Sequence, residues 1–339
     1  MIKKKLNILI FFLFLFSLYC AVSIGQSWDE SSELIRGKIS LDYLLSLGKI
    51  ESEIGAREFY SPIYWTLQYF LTTIFPSKYQ IETAHVINLL FSLFTIIGIG
   101  KLSKELFNTQ VGKLTSLVLF FYPIFFGHMA FNNKDTILAF SHVWMVYLIT
   151  RYIKKQDFRR KAKKYFTHIG ILAALSTGIQ LAFLGSLIPI ILFLLLEIFL
   201  FKKLVSKNFS FKILIFDSLK SFIIFYLLLI IFWIDVHPNI FLLPFSFFMQ
   251  TLSENYWTGW PGILLNGNYH LTTEVPKYYV LLNLFYKSPE YILILYIFFL
   301  FFAFKSRMFF TEKFDNFYYK LSLIVLILIF PNFILFFIP

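Results

Sequence analysis

Long apolar runs separated by short polar segments make up most of the chain. About 20 consecutive apolar residues are needed to cross the hydrocarbon core of a bilayer as a helix, and nine runs approach that length. They cover residues 6–25, 82–100, 114–131, 136–152, 166–182, 184–201, 219–235, 290–304 and 320–338. The pattern predicts an all-α, polytopic transmembrane protein, organised as a single transmembrane domain over residues 1–339.

One further run, Phe59–Phe75, is apolar but carries Pro62 and Gln68. Counting it as a span would invert every later loop and place the most basic loops outside, against the positive-inside rule. We therefore expect an interfacial or re-entrant helix on the outer face, where Tyr and Trp are common.

The distribution of basic residues sets the predicted orientation. With the N-terminus in the cytoplasm, 22 of the 31 Lys and Arg residues fall in cytoplasmic segments, as the positive-inside rule requires. The first run also resembles a signal peptide, but Leu18-Tyr19-Cys20 lacks the small residue expected before a lipoprotein cysteine, so we expect an uncleaved helix. Two long outer segments result, covering residues 26–80 and 236–289.

Composition supports the membrane assignment and excludes other classes. Hydrophobic residues make up 58% of the chain and charged residues only 15%, whereas a soluble domain has about a quarter of its residues charged. The net charge of +12 would suit a nucleic-acid partner, but the basic residues lie in short loops between spans, so we expect none. A single cysteine, Cys20, excludes an internal disulfide.

Two adjacent carboxylates, Asp29 and Glu30, follow the first predicted span directly. Acidic groups at the mouth of a transmembrane helix are costly to desolvate and therefore mark a candidate site. One of them could act as a general base toward a hydroxyl nucleophile. A structural role is equally open, because Ser27 and Glu30 have the spacing of a capping box.

Two other polar segments belong to the predicted outer face. Residues 125–136 bring together His128, Asn132, Asn133, Lys134 and Asp135, which suit either a helix turn and cap or a phosphate site. Residues 257–290 combine aromatic side chains with His270 and lysines, which suits either a sugar and phosphate site or an interfacial aromatic belt.

These segments resemble the GT-C superfamily of membrane glycosyltransferases, and most closely the protein O-mannosyltransferases and the lipid A aminoarabinose transferases. Trp28–Glu30 is similar to the acidic pair that follows the first span in that superfamily. Pro123–Asp135 resembles a second segment common in bacterial members. Pro276–Tyr279 and Lys287–Pro289 resemble a Pro-x-Tyr-Tyr motif followed by Lys-Ser/Thr-Pro.

The resemblance implies a sugar donor on a polyprenyl phosphate and an inverting transfer at the periplasmic face of the inner membrane. The acceptor would be lipid A or another lipopolysaccharide part, another lipid, a protein or a cell-surface glycan, with membrane lipids as further partners. Asp29 would be the base, with Glu30 second. Donor phosphate contacts would come from Lys134, His128 and Arg57. Supporting residues would be Asp135, Asn133, Tyr278, Tyr279 and His270. We expect no required metal or other cofactor.

Two rival functions remain open at this point. Members of the superfamily usually continue beyond the position of Pro339, so we expect a C-terminally truncated chain, and a non-catalytic paralogue is one alternative. The other is a transporter or flippase of lipid-linked sugars, which would carry charged residues in the middle of several spans. Glu197 and Asp217 both lie near predicted cytoplasmic ends instead.

Overall fold

The fold comes from a computed structural model that describes residues 2–49, 60–251, 262–271, 274–276 and 278–329. The first half of the chain forms the helices α1 (Ile2–Ser23), α2 (Glu30–Leu45), α3 (Ile63–Thr72), α4 (Gln80–Leu106), α5 (Thr109–Phe120), α6 (Pro123–His128) and α7 (Asp135–Lys155). The second half forms α8 (Arg159–Ile179), α9 (Phe183–Leu196), α10 (Phe211–Phe232), α11 (Leu243–Thr251), the strands β1 (Gly262–Leu265) and β2 (Asn268–Leu271), and then α12 (Tyr279–Lys287), α13 (Glu290–Lys305), α14 (Arg307–Lys313) and α15 (Phe317–Ile324).

Four helices form the centre of the bundle, where α4 packs on α7, α7 on α8 and α8 on α10. The helices α1 and α5 pack against α4. Aromatic and aliphatic side chains fill the largest buried cluster, in which the rings of Tyr152 on α7 and Phe166 on α8 meet at a centroid distance of 4.4 Å. Helix packing therefore fixes α4, α7, α8 and α10 relative to one another.

A shorter helical pair, α2 and α3, joins this bundle through α3, which contacts α4, α8 and α10. Tyr64 and Trp65 of α3 are fully buried. Gly37 lets α2 approach closely, since a Cβ atom there would lie 2.2 Å from the Trp65 carbonyl oxygen. Ten residues of helix extend about 15 Å, so α3 is too short to cross a bilayer, which is compatible with the interfacial or re-entrant helix expected from the sequence, and one of its faces is buried in protein.

Four helical segments among the described residues are long and apolar enough to cross a membrane. They are Ser77–Leu106, Asp135–Lys155, Phe183–Phe201 and Phe211–Phe232. The pair α12 and α13, bent by 111°, would add a fifth if it forms one broken span. The structure therefore supports a multi-pass helical protein with four or five candidate spans, and the predicted count of nine is not established.

Several of the other predicted runs take a different form. The run 114–131 is divided between α5 and α6, because Pro123 starts a new helix and its ring nitrogen cannot continue the hydrogen-bond ladder of the first. The run 166–182 belongs to α8, which begins in a basic segment at Arg159. The run 320–338 lies partly outside the described residues.

One hairpin departs from the all-α architecture. Its strands β1 and β2 are antiparallel, with Gly262 opposite Leu271 and Leu265 opposite Asn268. The two turn residues, Asn266 and Gly267, both have positive φ angles, of 50° and 80°. An Asn-Gly pair favours this turn because both residues tolerate the left-handed conformation.

Candidate functional site

An open cleft of about 350 Å³ lies between the start of α2 and the turn before α7. Asp29 at the start of α2 and Lys134 in the turn line it, together with Trp28 and Phe131. Lys134 Nζ lies 3.1 Å from Asp29 Oδ2, and the Asp29 side chain is 56% exposed. The structure thus brings the two polar segments predicted from the sequence into direct contact and leaves Asp29 accessible from solution.

A second carboxylate, Glu33, completes the cleft one turn further along α2. Its Oε1 lies 3.2 Å from Lys134 Nζ, and its side chain is only 5% exposed. Asn133 Nδ2 donates a 2.6 Å hydrogen bond to Glu33 Oε2, and Trp65 Nε1 donates to Asn133 Oδ1 at 3.3 Å. This chain of contacts joins α2, α3 and the turn before α7.

The pKa values of Glu33 and Lys134 are both raised, but for different reasons. It raises the pKa of Glu33 above the ordinary value of 4.5, although the Lys134 charge and the Asn133 hydrogen bond act in the opposite direction. Burial lowers the pKa of Lys134, but the carboxylates of Glu33 and Asp29 outweigh it, so the pKa of Lys134 is raised above 10.5. Lys134 is therefore a fixed positive charge at neutral pH.

Glu30 points away from the cleft into the bundle. Its Oε1 lies 2.7 Å from His85 Nε2, its Oε2 accepts a 2.5 Å hydrogen bond from the Ser27 N–H, and its side chain is 5% exposed. His85 Nδ1 lies 2.9 Å from the carbonyl oxygen of Ala21. Since a carbonyl only accepts, Nδ1 carries a hydrogen, and Nε2 faces the Glu30 carboxylate at ion-pair distance.

A polar stripe on α4 holds the turn that presents Lys134. Asn88 Nδ2 and Ser92 Oγ both donate to the Met129 carbonyl oxygen, at 3.1 and 2.9 Å. Asn88 Oδ1 accepts hydrogen bonds from Tyr64 and from Thr136 at the start of α7. These fully buried contacts fix the position of the turn before α7 relative to α4 and α3.

Four residues of the site are not among those predicted from the sequence: Glu33, His85, Asn88 and Trp65. Two signals could have found the first three. Glu33 lies four residues after Asp29 and therefore on the same face of α2. His85 and Asn88 begin a row of polar side chains on one face of an otherwise apolar span, continued by Ser92 and Thr95, and such residues in a span mark function or packing. Trp65 had no comparable local signal.

The remaining predicted site residues are distributed as follows. His128 Nδ1 lies 3.1 Å from Asn132 Nδ2, which also donates to Asp135 Oδ2 at 2.9 Å. Asp135 lines the cleft, whereas His128 does not line it and contacts it only through Asn132. The cleft is not lined by His270, Tyr278 or Tyr279. Arg57 lies outside the described residues.

Among the described residues, no group of three or more His, Cys, Asp or Glu side chains is placed to hold a metal ion. The charged groups that line the cleft are the carboxylates of Asp29, Glu33 and Asp135 and the ammonium group of Lys134. Such a site can accept a proton from an incoming group and neutralise an anion beside it.

Comparison with known proteins finds a family that is similar to part of the chain. Residues 61–216 match the family described as dolichyl-phosphate-mannose-protein mannosyltransferase. The matched region is less than half of the chain, and over it the chain is similar to that family. No curated protein and no solved structure matches the chain.

The protein is therefore a multi-pass membrane glycosyltransferase whose donor is a sugar carried on a polyprenyl phosphate. This confirms the resemblance to the protein O-mannosyltransferases and the predicted enzyme class. The matched region of the glycosyltransferase includes α3, the α4 stripe and the Lys134 turn, and it begins after α2. Asp29 and Glu33 join that region through the contacts of the fold.

Proposed function

We propose that the glycosyltransferase moves its sugar to a hydroxyl group of a lipid, glycan or protein acceptor at the extracytoplasmic face, with inversion at the anomeric carbon. The observation that carries this proposal is the contact between Asp29 and Lys134 in an open cleft. Asp29 can take the proton of the attacking hydroxyl, and Lys134 can neutralise the leaving phosphate. Displacement at the anomeric carbon of the sugar requires both.

Asp29 is the general base in this proposal. It accepts the proton of the acceptor hydroxyl while the hydroxyl oxygen forms a bond to the anomeric carbon of the sugar. The bond between that carbon and the phosphate oxygen breaks on the opposite side, and the electron pair leaves with the polyprenyl phosphate. Exposure favours Asp29 for this role over Glu33, because a base must reach the acceptor.

Lys134 binds the donor phosphate and stabilises the charge that develops on its oxygen as the bond breaks. Its raised pKa keeps the ammonium group charged throughout the physiological range. The ammonium group of lysine is carried on a flexible stem of four carbons. It can therefore leave a carboxylate and contact a phosphate oxygen without movement of α7. His128 and Asp135 support the turn through Asn132.

Glu30 acts as a positioning residue in this proposal, although the sequence suggested it as a second base. Its carboxylate is committed to His85 and to the Ser27 N–H, so it has no route to an acceptor in the cleft. By fixing the first turn of α2 against α4, it sets the direction in which Asp29 points.

The orientation in this proposal rests on the distribution of charge. The cleft lies at the start of α7, and the basic residues Lys154, Lys155 and Lys161 lie at the other end of that helix and in α8. Basic loops are retained in the cytoplasm, so the cleft faces the opposite side, which is the periplasm for an inner-membrane protein.

Turnover of a labelled donor tests the proposal. The purified full chain in nanodiscs is given polyprenyl-phosphate mannose with candidate lipid, glycan and peptide acceptors, and release of polyprenyl phosphate is measured with the mass of the product. Asp29→Asn should lower the rate at least about hundredfold, as expected when a general base is removed, while binding of the donor is retained.

Asp42→Asn is the matched control. Asp42 also lies on α2 and pairs with Lys38 at 2.6 Å, but on an exposed surface away from the cleft. It should keep the wild-type rate. An Asp29→Asn protein that turns over at the wild-type rate would refute the proposed base, and donor movement across the membrane without sugar transfer would indicate a flippase.

A further inference from the structure

A groove of about 400 Å³ between α7 and α8 is separate from the carboxylate cleft. Phe140, Trp144 and Leu148 form its α7 wall, and they follow one another at intervals of four residues. Residues four apart lie on one face of a helix. The α7 wall is therefore a continuous apolar strip within a candidate membrane span.

The α8 wall changes character along its length. Lys161, Lys164 and His168 line the groove near the start of the helix, and Ile171 and Leu172 line it further on. The spacing keeps all of them on the same face. One face of α8 thus passes from cationic to apolar within three turns, and Ile171 is among the exposed apolar side chains of the protein.

The positive charge of this groove is not neutralised by any acidic residue that lines it. The lining includes two lysines and no carboxylate. The basic residues near the end of α7 show the contrast, because Arg151 and Lys154 are both paired with Glu105, at 2.9 and 3.1 Å. Neither Lys161 nor Lys164 forms an ion pair with any carboxylate in the described part of the chain.

We propose that this groove binds an anionic phospholipid, with Lys161 and Lys164 at its phosphate group and the apolar strip of α7 and α8 along its acyl chains. A soluble phosphate could bind to the two lysines, but it would make no favourable contact with the apolar side chains that line the rest of the groove. Basic pockets between transmembrane helices favour acidic lipid head groups for this reason. Lys101 adds positive charge beside the groove, with its Nζ 4.9 Å from the centroid of the Trp144 ring.

Trp144 provides a direct probe of occupancy. The full chain is placed in phosphatidylcholine nanodiscs that contain increasing fractions of brominated phosphatidylglycerol or brominated phosphatidylcholine. Bromine quenches tryptophan fluorescence on contact, and the difference between wild type and Trp144→Phe isolates the contribution of Trp144. Half-maximal quenching should need about a tenfold lower fraction of the anionic lipid than of phosphatidylcholine.

The double variant Lys161→Gln and Lys164→Gln should lose this tenfold preference. Its control is the double variant Lys155→Gln and Lys163→Gln, which removes the same charge from the same region but from residues that do not line the groove. The control should quench as the wild type does. If the first double variant does not fold, the single variants serve in its place, and each should lose part of the preference.

Three results would overturn the proposal. Equal quenching by both lipids would show that the groove does not select anionic lipid. An unchanged preference in the Lys161 and Lys164 variants would place the selectivity elsewhere. Displacement of the lipid by soluble glycerol phosphate at a similar concentration would indicate a site for a soluble anion.

Discussion

Lys134 is shared by two carboxylates that differ in their exposure to solvent. Asp29 is open to the cleft, whereas Glu33 is buried and accepts a hydrogen bond from Asn133, which in turn accepts one from Trp65. A buried acid that contacts a lysine at 3.2 Å limits where the ammonium group can go. We therefore assign the position of Lys134 to Glu33 and the chemistry of proton transfer to Asp29.

Loss of the Lys134 charge should affect the transfer step more than donor binding. Lys134→Gln removes the cation that offsets charge on the leaving phosphate, and removal of one such group costs about a hundredfold or more in rate. Turnover of polyprenyl-phosphate mannose should fall by that factor, and Lys134→Arg should restore part of it. Lys38→Gln, which breaks the exposed pair with Asp42, should leave turnover unchanged. A Lys134→Gln protein with wild-type turnover would contradict the assignment.

The pH dependence of stability should report the burial of Glu33. The folded protein retains the Glu33 proton above pH 4.5, where the unfolded chain has released it, because burial raises the pKa. The stability that Glu33 contributes is therefore fully present below pH 4.5 and is lost as pH rises through the raised pKa. Melting temperatures in detergent should fall from pH 4.5 upward in the wild type relative to Glu33→Gln, which cannot titrate. Parallel curves for the two proteins would show that Glu33 ionises as it does in the unfolded chain.

The sequence predicted the part of the site that depends on local spacing. Asp29 follows an apolar run directly, and Lys134 is a cation on the side that basic residues usually avoid, so both were visible without a structure. Trp65 and Asn133 could not be linked in this way. Their hydrogen bond joins residues 68 positions apart, and no periodicity in one helix encodes a contact between two.

At the scale of elements, the approach of α2 to α3 aligns the two acids with the Lys134 turn. Gly37→Ala would place a Cβ atom 2.2 Å from the Trp65 carbonyl oxygen, so the helices must separate. Overpacking of this kind costs about 1–3 kcal/mol. We expect a lower melting temperature and a loss of sugar transfer, because Trp65 moves away from Asn133.

Gly185→Ala is the control for that substitution. Gly185 lies in α9, where an added Cβ atom meets nothing within 4 Å, and replacement of glycine by alanine in an open helical position is neutral or stabilising. Its melting temperature and activity should match or exceed those of the wild type. If Gly37→Ala behaves in the same way as Gly185→Ala, the close approach of α2 and α3 does not support the site.

The elements that the sequence missed have identifiable physical reasons. The pair Asn266-Gly267 is a strong signal for a hairpin, although it lies within the segment 257–290, whose aromatic side chains favour a binding site or an interfacial belt. The break between α5 and α6 follows from Pro123, which interrupts an apolar run without lowering its hydropathy. Burial of α3 could not be predicted, because an apolar helix with Tyr and Trp suits an interface and a protein interior equally.

At the scale of the whole molecule, hydropathy alone does not determine the number of membrane-spanning helices. The basic start of α8 reduces its apolar character, although the helix packs between α7 and α10 in the centre of the bundle. Its neighbours supply an environment that the linear sequence does not show. The charge asymmetry is more robust than the span count, because it depends only on which loops carry lysine and arginine.

That asymmetry leads to a prediction about the two ends of α7. The helix has 21 residues and extends about 31 Å, close to the thickness of the hydrocarbon core. Trp28 lines the cleft near its start, and Phe158 lies just beyond its end; the two side chains are 87% and 65% exposed. In a background with Cys20→Ala, Trp28→Cys should react with a membrane-impermeant maleimide only from the extracytoplasmic side.

Phe158→Cys should react with the same reagent only from the cytoplasmic side, in inverted vesicles. Each variant is the control for the other, since both introduce one exposed thiol into the same background. Labelling of both from one side would mean that α7 does not cross the membrane, and exchanged sides would place the cleft in the cytoplasm. In the second case Asp29 and Lys134 could still act together, but on a donor presented at the cytoplasmic leaflet, so the labelling pattern decides the site of sugar transfer independently of its chemistry.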